Sequence, residues 1–427
     1  MYDISKTLIL GSGASGQAAA ELIRKKGGDA VIISDTRALT LEEFVEIFES
    51  VTLTVISPGI PYDTPLSVFS RQIGVDVISE LEFAYSYCPS KIIGITGTNG
   101  KSTVTAWCAH ILNTEPLGNF GTPLSQKVDF YGGGVILPVE VSSFMLEGVK
   151  EFAPQVAVLL NITPDHLDRH GDIKTYAALK SRIFARAGFA VLNYDCPIVK
   201  NMKPESADTY YFSLKEKVRG AYVSNGDIFW KEERFITVAE IKLKGAHNLS
   251  NALAAASACL LAGASKDAVV GGLKTFTGIP HRFQTVGGRG GITFINDSKA
   301  TNPESTITAI NTLDTTAVLI LGGSGKGSDF SGLFAAMRPE VAATVITGAT
   351  AQNIAVAAES AGCKNTVITK TFAEAFAAAA AKAQKLPKPC AILLSPACAS
   401  FDEFKNFEER GDYFCALAKR YIENGGI

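Results

Sequence analysis

The sequence lacks several features that would each mark a particular class of protein. It has no excess of one charge, because 40 Lys and Arg stand against 42 Asp and Glu, and this balance argues against the broad basic surface of a nucleic-acid-binding protein. No apolar run approaches the ~20 residues that a membrane span needs. The opening MYDISK does not follow the charged-then-apolar order of a secretion signal, and none of the eight cysteines forms a CxxC pair. We therefore expect a cytoplasmic protein with reduced thiols, without a nucleic-acid partner and without a membrane span.

The composition is that of a chain that folds into packed domains. Apolar residues make up 47% of the sequence and charged residues 19%, so the material for hydrophobic cores is ample and no disorder signature appears. At roughly 150 residues per domain, the chain of 427 residues corresponds to about three domains.

Apolar strands alternate with helical stretches in three successive segments, which predicts an α/β fold with parallel sheets and crossover helices. We predict a Rossmann-like domain over 1–90, which opens with the strand and glycines of KTLILGSGASG. A central domain similar to P-loop ATPases follows over 91–278, with a small antiparallel insertion at about 193–241. A second Rossmann-like domain covers 279–427.

The strongest local signal is TGTNGKST at 96–103, which lies between a predicted strand and a predicted helix. In such a loop the backbone N–H groups and the helix N-terminus cradle phosphates. Lys101 would reach the β- and γ-phosphates, and the hydroxyl of Ser102 would ligate Mg²⁺. The usual pattern has glycine where this chain has Ile95, and the simpler alternative is an ordinary glycine turn. We interpret the segment as a nucleotide site.

Three further side chains follow strands or lie on a helix in the same segment. Glu140 ends VILPVE and is placed to complete the metal site, although a solvated strand-end glutamate is the alternative. His166 follows the strand VAVLL, where it would face the crevice of an open sheet or serve only the loop. Lys180 shares a helix face with apolar neighbours, so it either snorkels to solvent or loses its proton and becomes carbamylated, which would make it an anionic oxygen ligand.

The glycines of the first and third segments suggest anion binding. GSGASG at 11–16, with Asp35 further on, matches a dinucleotide fingerprint and would suit NAD(P), but the diphosphate of a UDP-sugar would suit the same loop. In the third segment, Lys299 follows one strand and Lys326 follows the next. Two lysines at adjacent strand ends suit a carboxylate or a phosphate, whereas each alone would more often be a surface residue.

The whole set of motifs resembles the Mur ligases, and within them the branch that adds D-glutamate to UDP-N-acetylmuramoyl-L-alanine. The resemblance spans nearly the whole chain, and NDSKATN is its most discriminating part. It rests on these stretches in this order: TGTNGKST, VEVSSF, NITPDHLDRH, YAALKSR, GAHNLSNALAAA, HRF, NDSKATN and SPACASFDEFKNFEERG. The resemblance implies that ATP phosphorylates the alanyl carboxylate and that the amine of D-glutamate attacks the acyl phosphate.

The resemblance also implies site residues and cofactors. It implies two Mg²⁺ ions, one held by Ser102 and Glu140 and the other by His166 and carbamylated Lys180. ATP would be bound by Thr98, Asn99, Gly100, Lys101, Ser102, Thr103, Asn248, Arg282 and Asp297. The UDP-sugar would be bound by Ala14, Ser15, Thr36, Arg37, Gly59, Asn119 and Ser143. D-Glutamate would be bound by Lys299, Thr301, Lys326, Ser400, Phe401 and Phe407.

The sequence departs from the family pattern at Met145, Gln284 and Ser324, which removes none of these ligands. Three alternatives stay open. The chain would be another Mur-type or folylpolyglutamate-type ligase, an NAD(P)-dependent dehydrogenase with an added nucleotide-binding segment, or a scaffold protein derived from a ligase. We expect a monomer.

Overall fold

The computed structural model describes residues 1–34, 40–325 and 329–425, except for the side chains of Leu41, Leu167 and Asp168. The chain divides into two compact units, Met1–Thr277 and Gly278–Ile427. The first unit contains two separate sheets, and its predicted division into two domains near residue 90 stays a prediction. In the part of the chain described, no helix combines the length and apolar character that crossing a membrane requires.

The first sheet has four parallel strands in the order β2-β1-β3-β4. Each strand is followed by a helix, as the alternating pattern predicts. The elements are β1 Lys6–Leu10, α1 Ala14–Lys25, β2 Asp29–Ile33, α2 Leu41–Phe48, β3 Leu53–Ile56, α3 Pro65–Gln72, β4 Asp76–Ser79 and α4 Glu80–Tyr85.

The second sheet has nine strands in the order β13-β12-β11-β10-β9-β8-β5-β7-β6. Its strands are β5 Lys91–Thr96, β6 Leu117–Gly118, β7 Ile136–Glu140, β8 Val156–Leu159, β9 Phe189–Asn193, β10 Asp208–Ser213, β11 Gly220–Ser224, β12 Asp227–Trp230 and β13 Glu233–Thr237. Its helices are α5 Lys101–Leu112, α6 Ser143–Glu147, α7 Leu167–His170, α8 Ile173–Ser181, α9 Ala246–Ala262 and α10 Lys266–Thr275.

The predicted insertion at 193–241 extends this sheet and is antiparallel only at its outer edge. Strands β9, β10 and β11 pair in parallel, and β12 and β13 complete an antiparallel meander on β11. The stretch buries Phe212 and Ile228 against the alanine-rich helix α9, so its apolar side chains join the core of the central sheet.

The two sheets of the first unit share a hydrophobic core. Ile9 and Val55 of the first sheet, Phe83 of α4 and Val139 of the second sheet belong to one cluster of buried side chains. Glu82 in α4 is fully buried, and its carboxylate accepts the backbone N–H groups of residues 150, 151 and 152 at 2.9–3.0 Å. These bonds fix the first sheet against the loop between α6 and β8.

The second unit has one six-stranded sheet in the order β14-β15-β19-β16-β17-β18, parallel except for β14. Its strands are β14 Gln284–Arg289, β15 Ile292–Asn296, β16 Thr316–Gly322, β17 Val341–Thr347, β18 Thr366–Ile368 and β19 Cys390–Leu394. Its helices are α11 Pro303–Thr312, α12 Ser331–Ala335, α13 Ala351–Ser360, α14 Phe372–Gln384 and α15 Phe407–Asn424.

Candidate active site

The P-loop (residues 96–103) joins β5, in the interior of the second sheet, to α5. Gly97 has φ +151° and Gly100 has φ +87°, conformations that other residues rarely adopt. A Cβ on Gly100 would lie 2.6 Å from Oδ1 of Asn251 in α9, so the loop requires glycine there. The first N–H groups of a helix have no partner within it, and together with the glycines they suit phosphate binding.

Asn161 holds the P-loop in this shape, and the sequence analysis did not identify it. Its side chain accepts a hydrogen bond from the backbone N–H of Asn99 at 2.8 Å and donates one to the Asn99 carbonyl at 3.0 Å. Its own carbonyl accepts the N–H of Thr98 at 2.9 Å. Asn161 follows β8, which pairs in parallel with β5, and this neighbouring strand end was the available signal.

Two predicted catalytic lysines meet at one carbonyl of the P-loop. Lys101 Nζ donates to the carbonyls of Gly97 at 3.0 Å and Thr98 at 2.8 Å. Lys180 Nζ, from α8, donates to the same Gly97 carbonyl at 3.0 Å. The fold therefore brings together two residues that lie 79 positions apart, on the carboxyl edge of the sheet.

Lys180 is buried with 1% of its surface exposed, so it does not snorkel to solvent. Its ammonium lies 4.6 Å from the centre of the Tyr176 ring. Burial, and then the charge of Lys101, lower the pKa of Lys180 from 10.5 to about 7, against the opposing effect of Asp165 and Glu140. At neutral pH the side chain is therefore divided between the amine and the ammonium, so a large fraction is the uncharged amine.

Glu140 ends β7, next to β5, and is 2% exposed. One carboxylate oxygen accepts a hydrogen bond from Asn119 Nδ2 at 2.8 Å, and the other, Oε2, has no hydrogen-bond partner in the described structure. A buried carboxylate oxygen without a partner is costly unless something binds it. Its donor chemistry fits Mg²⁺, which prefers oxygen ligands.

The predicted ligands of the second Mg²⁺ ion, His166 and Lys180, do not by themselves form a metal site. His166 immediately precedes α7 and has φ +51°. Its side chain is 49% exposed, and its ring lies 5.0 Å from that of Phe144. Among the described residues, no group of three or more His, Cys, Asp and Glu side chains is arranged to hold a metal. Lys180 would become a metal ligand only after carbamylation.

Ser143 has a buried partner that the sequence analysis missed. Its hydroxyl lies 3.1 Å from Nε2 of His170, whose side chain is 3% exposed and stacks on Tyr176. His170 lies in the same NITPDHLDRH stretch as His166, but nothing in the sequence distinguishes which of the two rings is buried.

The first sheet carries three of the predicted UDP-sugar residues at its carboxyl edge. Two others belong to the second sheet's region, where Asn119 follows β6 and Ser143 begins α6. Ala14 and Ser15 form the first turn of α1, which has no side-chain cap and no acidic residue there. Gly59 follows β3, and a Cβ at this position would meet nothing within 4 Å. The uncapped N-terminus of α1 and the open space at Gly59 suit a diphosphate. Thr36 and Arg37 lie outside the described residues.

Three predicted ATP-binding residues take no part in the P-loop hydrogen bonds described above. Asn248 in α9 donates to the carbonyl of Lys244 at 2.8 Å, and Thr103 lies half-buried in α5. Asp297 belongs to the second unit, where its carboxylate accepts the N–H of Phe283 at 3.0 Å and the hydroxyl of Ser395 at 2.8 Å. Burial raises the pKa of Asp297 to about 6, partly offset by these bonds and by Arg282.

The predicted D-glutamate residues that the structure describes lie on loops of the second unit, except for Phe407, which is the first residue of α15. Lys299 Nζ lies 5.8 Å from the centre of the Phe407 ring, Ser400 is buried and Phe401 is 69% exposed. Thr301 follows in the Lys299 loop, its N–H bonded to the Lys299 carbonyl at 2.9 Å. Lys326 lies outside the described residues.

A buried arginine connects these loops, and the sequence analysis did not single it out. Arg410 in α15 is 1% exposed and donates to Ser298 Oγ at 3.0 Å and to the carbonyls of Ser298, Cys398 and Ala399 at 2.9–3.1 Å. Burial lowers the pKa of Arg410 to about 10. One guanidinium thus fixes the loops that follow β15 and β19.

The three departures from the family pattern occupy structural positions. Met145 is buried in α6. Gln284 Oε1 accepts the N–H of His281 at 3.0 Å, and Ser324 Oγ accepts the N–H of Phe401 at 2.9 Å. Each of the two polar side chains therefore holds a loop that carries predicted binding residues.

Comparison with known proteins defines the class to which this fold and site belong. The sequence matches the Mur ligase middle domain over residues 95–259 and the Mur ligase glutamate ligase domain over residues 281–398. The fold is similar to crystal structures of UDP-N-acetylmuramate–alanine ligase MurC from Thermotoga maritima (TM-score 0.55, 19% identity, 98% of this chain and 99% of that chain) and of MurF from the same organism with ADP (TM-score 0.54, 17% identity, 100% and 96%). This likeness confirms the predicted fold class.

Curated relatives narrow the class further. A UDP-N-acetylmuramoylalanine–D-glutamate ligase from Pelotomaculum thermopropionicum is 40% identical over 442 residues, covering 96% of each chain. One from Streptococcus agalactiae is 38% identical over 445 residues, covering 97% of this chain and 96% of that protein. The chain belongs to the UDP-N-acetylmuramoylalanine–D-glutamate ligase family of Mur ligases, as its motifs predict.

Proposed function

We propose that the protein joins D-glutamate to UDP-N-acetylmuramoyl-L-alanine in an ATP-dependent ligase reaction that supplies peptidoglycan precursors. The observation that carries the proposal is the P-loop with Lys180 and Glu140 buried beside it, in a chain whose relatives of equal length bear this enzyme's name. The reaction belongs in the cytoplasm, where ATP and nucleotide-linked sugars are available.

The chemistry has two steps. A carboxylate oxygen of the alanyl group attacks the γ-phosphorus of ATP, the bond to the β-phosphate oxygen breaks, and ADP leaves. The amine of D-glutamate then attacks the carbonyl carbon of the acyl phosphate, loses a proton and displaces inorganic phosphate as the amide forms. Both steps gather negative charge at the transferring group, so the protein must supply cations and N–H donors there.

The residues of the P-loop supply that environment. The loop backbone and the N-terminus of α5, which begins at Lys101, bind the phosphates. The ammonium of Lys101 lies within the same loop, where it donates to the carbonyls of Gly97 and Thr98. Asn161 keeps the loop in the conformation that presents its amides. Asn248 in the first unit, and Arg282 and Asp297 in the second, are the further ATP-binding residues that the family resemblance implies.

Ser102 and Glu140 would hold one Mg²⁺ ion, and His166 with carbamylated Lys180 a second. When bound, these ions would neutralise charge on the phosphates and on the acyl phosphate. The oxygen of Glu140 that has no hydrogen-bond partner supports the first assignment. The lowered pKa of Lys180 supports the second, because only an uncharged amine adds CO₂. That addition forms an N–C bond and releases one proton.

The substrate ends would be bound by two separate sets of residues. The first turn of α1 and Gly59, with Thr36, Arg37 and Asn119, would hold the UDP-sugar. Ser143 and His166 would lie near its alanyl end. Lys299 and Lys326 would pair with the carboxylates of D-glutamate, within a pocket lined by Thr301, Ser400, Phe401 and Phe407.

The test measures ADP release with UDP-N-acetylmuramoyl-L-alanine, ATP and Mg²⁺ and a panel of amino acids. We expect turnover only when all four components are present and D-glutamate is the amino acid. L-Glutamate, L-lysine and meso-diaminopimelate should be poor acceptors. Equal rates with L-glutamate would refute the assignment to this branch.

The glycine loop at 11–16 leaves a dehydrogenase as the competing function. A titration with NADH or NADPH, followed by nicotinamide fluorescence, separates the two. We expect no change in fluorescence, and saturable enhancement that UDP-N-acetylmuramoyl-L-alanine fails to displace would favour the dehydrogenase.

A further inference from the structure

Arg169 occupies a junction between the first sheet and the predicted catalytic residues of the second. Its guanidinium donates to the carbonyls of Pro58 at 3.4 Å and Ile60 at 3.1 Å, in the loop that contains Gly59. It also forms an ion pair with Glu147, at the end of α6. The side chain is only 18% exposed, so these bonds form largely out of water.

Arg169 is also connected to the region of Ser143 and His166, through Phe144, Glu147 and its own backbone. The guanidinium carbon lies 4.1 Å from the centre of the Phe144 ring, next in sequence to Ser143. The Glu147 carboxylate that Arg169 holds lies 3.7 Å from Nδ1 of His170, whose Nε2 contacts the Ser143 hydroxyl. The backbone N–H of Arg169 bonds to the carbonyl of His166 at 3.1 Å.

We propose that Arg169 is a positioning residue that fixes the distance between the Gly59 loop and the Ser143–His166 region, so that both ends of the UDP-linked substrate are held at once. The proposal rests on the proposed function, which places the UDP-sugar at Gly59 and its alanyl carboxylate near Ser143. The contacts of the guanidinium are with protein groups, and the proposed role acts through the loops that it holds.

The physical basis is the planar fork of the guanidinium. One side chain meets a carboxylate, two carbonyls and an aromatic face in fixed directions, which a lysine ammonium on a flexible stem cannot reproduce. A substrate bound at two points gains the full effect of the second contact only if the distance between the points is already set. If that distance is no longer fixed, the affinity for the long substrate should therefore fall more than the affinity for a ligand that binds at one end only.

The experiment compares Arg169→Ala and Arg169→Lys with Arg182→Ala. Arg182 is a matched control because it also binds the end of α6 and the residues after it, through the carbonyls of Glu147 and Val149 at 2.7–2.9 Å. Within the described residues, its guanidinium forms no hydrogen bond to the Gly59 loop. The measurements are kcat, the KM of each substrate, and the affinities of UDP and of UDP-N-acetylmuramoyl-L-alanine by calorimetry.

For Arg169→Ala we expect the KM for UDP-N-acetylmuramoyl-L-alanine to rise about tenfold or more and kcat to fall, because productive alignment is lost. The KM for ATP should stay within about twofold. The advantage of the full substrate over UDP in binding should shrink by about tenfold. Arg169→Lys should fold normally and lie between the wild type and Arg169→Ala, and Arg182→Ala should keep the wild-type ratio of affinities.

Unchanged kinetics in both Arg169 variants would overturn the inference. So would a parallel rise in the KM values for ATP and for the UDP-linked substrate, since that pattern signals general destabilisation. If Arg169→Ala does not fold, Arg169→Lys tests the inference through the ratio of the affinities for UDP-N-acetylmuramoyl-L-alanine and for UDP. Failure of the proposed function is distinguishable, because the wild type would then show no D-glutamate-dependent release of ADP.

Discussion

The buried amine of Lys180 leads to a prediction that the structure makes quantitative. Replacing Lys180 with alanine should abolish nearly all ligase activity, because the neutral amine beside the P-loop is the group that would be carbamylated to give an anionic metal ligand. An apolar burial site and the charge of Lys101 both disfavour an ammonium there.

The magnitude follows from the pKa. With a pKa of about 7, about three quarters of Lys180 is neutral at pH 7.5, whereas an ordinary lysine is only about 0.1% neutral. The amine available for CO₂ is therefore enriched by roughly three orders of magnitude. Because protonation removes this amine, activity that depends on CO₂ should fall as the pH drops below about 7.

The assay is ADP release by Lys180→Ala with and without small carboxylates. Formate or acetate should restore part of the activity by supplying the missing anion, and bicarbonate should not, because no amine remains. Lys174→Ala is the matched control, since Lys174 lies on the same helix but is exposed. It should retain wild-type activity.

Two results would refute the reasoning. One is near-normal activity of Lys180→Ala. The other is an unmodified ammonium at Lys180 in the Mg²⁺-bound wild-type protein, as seen by mass spectrometry or by carbon-13 NMR with labelled CO₂. In either case Lys180 would act only as a buried donor to the Gly97 carbonyl.

Three further predictions concern single residues. Lys101→Ala should abolish ADP formation while calorimetry still shows binding of the UDP-linked substrate; loss of both would mean that the two sites are not separate. Gly100→Ala should destabilise the P-loop by about 1–3 kcal/mol and weaken ATP binding, because its φ is +87° and its Cβ would meet Asn251; a wild-type Kd for ATP would contradict this. Asp297 has a folded pKa of about 6 against 3.8, so the folded state binds more protons between these values and its stability falls as the pH rises through them. Asp297→Asn should accordingly be about 3 kcal/mol more stable than the wild type to urea at pH 8 and lose that advantage below pH 4. An equal difference in stability at both pH values would count against the buried charge.

The sequence determined the class of fold because strand, glycine and helix signals are local. The strands of KTLILG, KIIGIT, VILPVE and AVLILGG all form where the apolar runs predict them, and the helix FAEAFAAAAAKAQ forms as α14. The motifs and their order also determined the family, because both can be read along the chain without knowing which residues are neighbours in space. The role of each predicted site residue stays a prediction.

The tertiary structure decided which polar side chains are buried and with what partners. Spacing alone left Lys180 as either a snorkelling or a buried lysine, and only the packing of α8 beside the P-loop buries it and lowers its pKa to about 7. Asn161 and Arg169 lie in the NITPDHLDRH stretch and Arg410 lies in the FEERG stretch. Their structural roles could not be predicted, because their partners come from strands and loops that are distant along the chain. Hydrogen bonds and burial depend on these long-range neighbours, and a pattern read along one chain does not contain them.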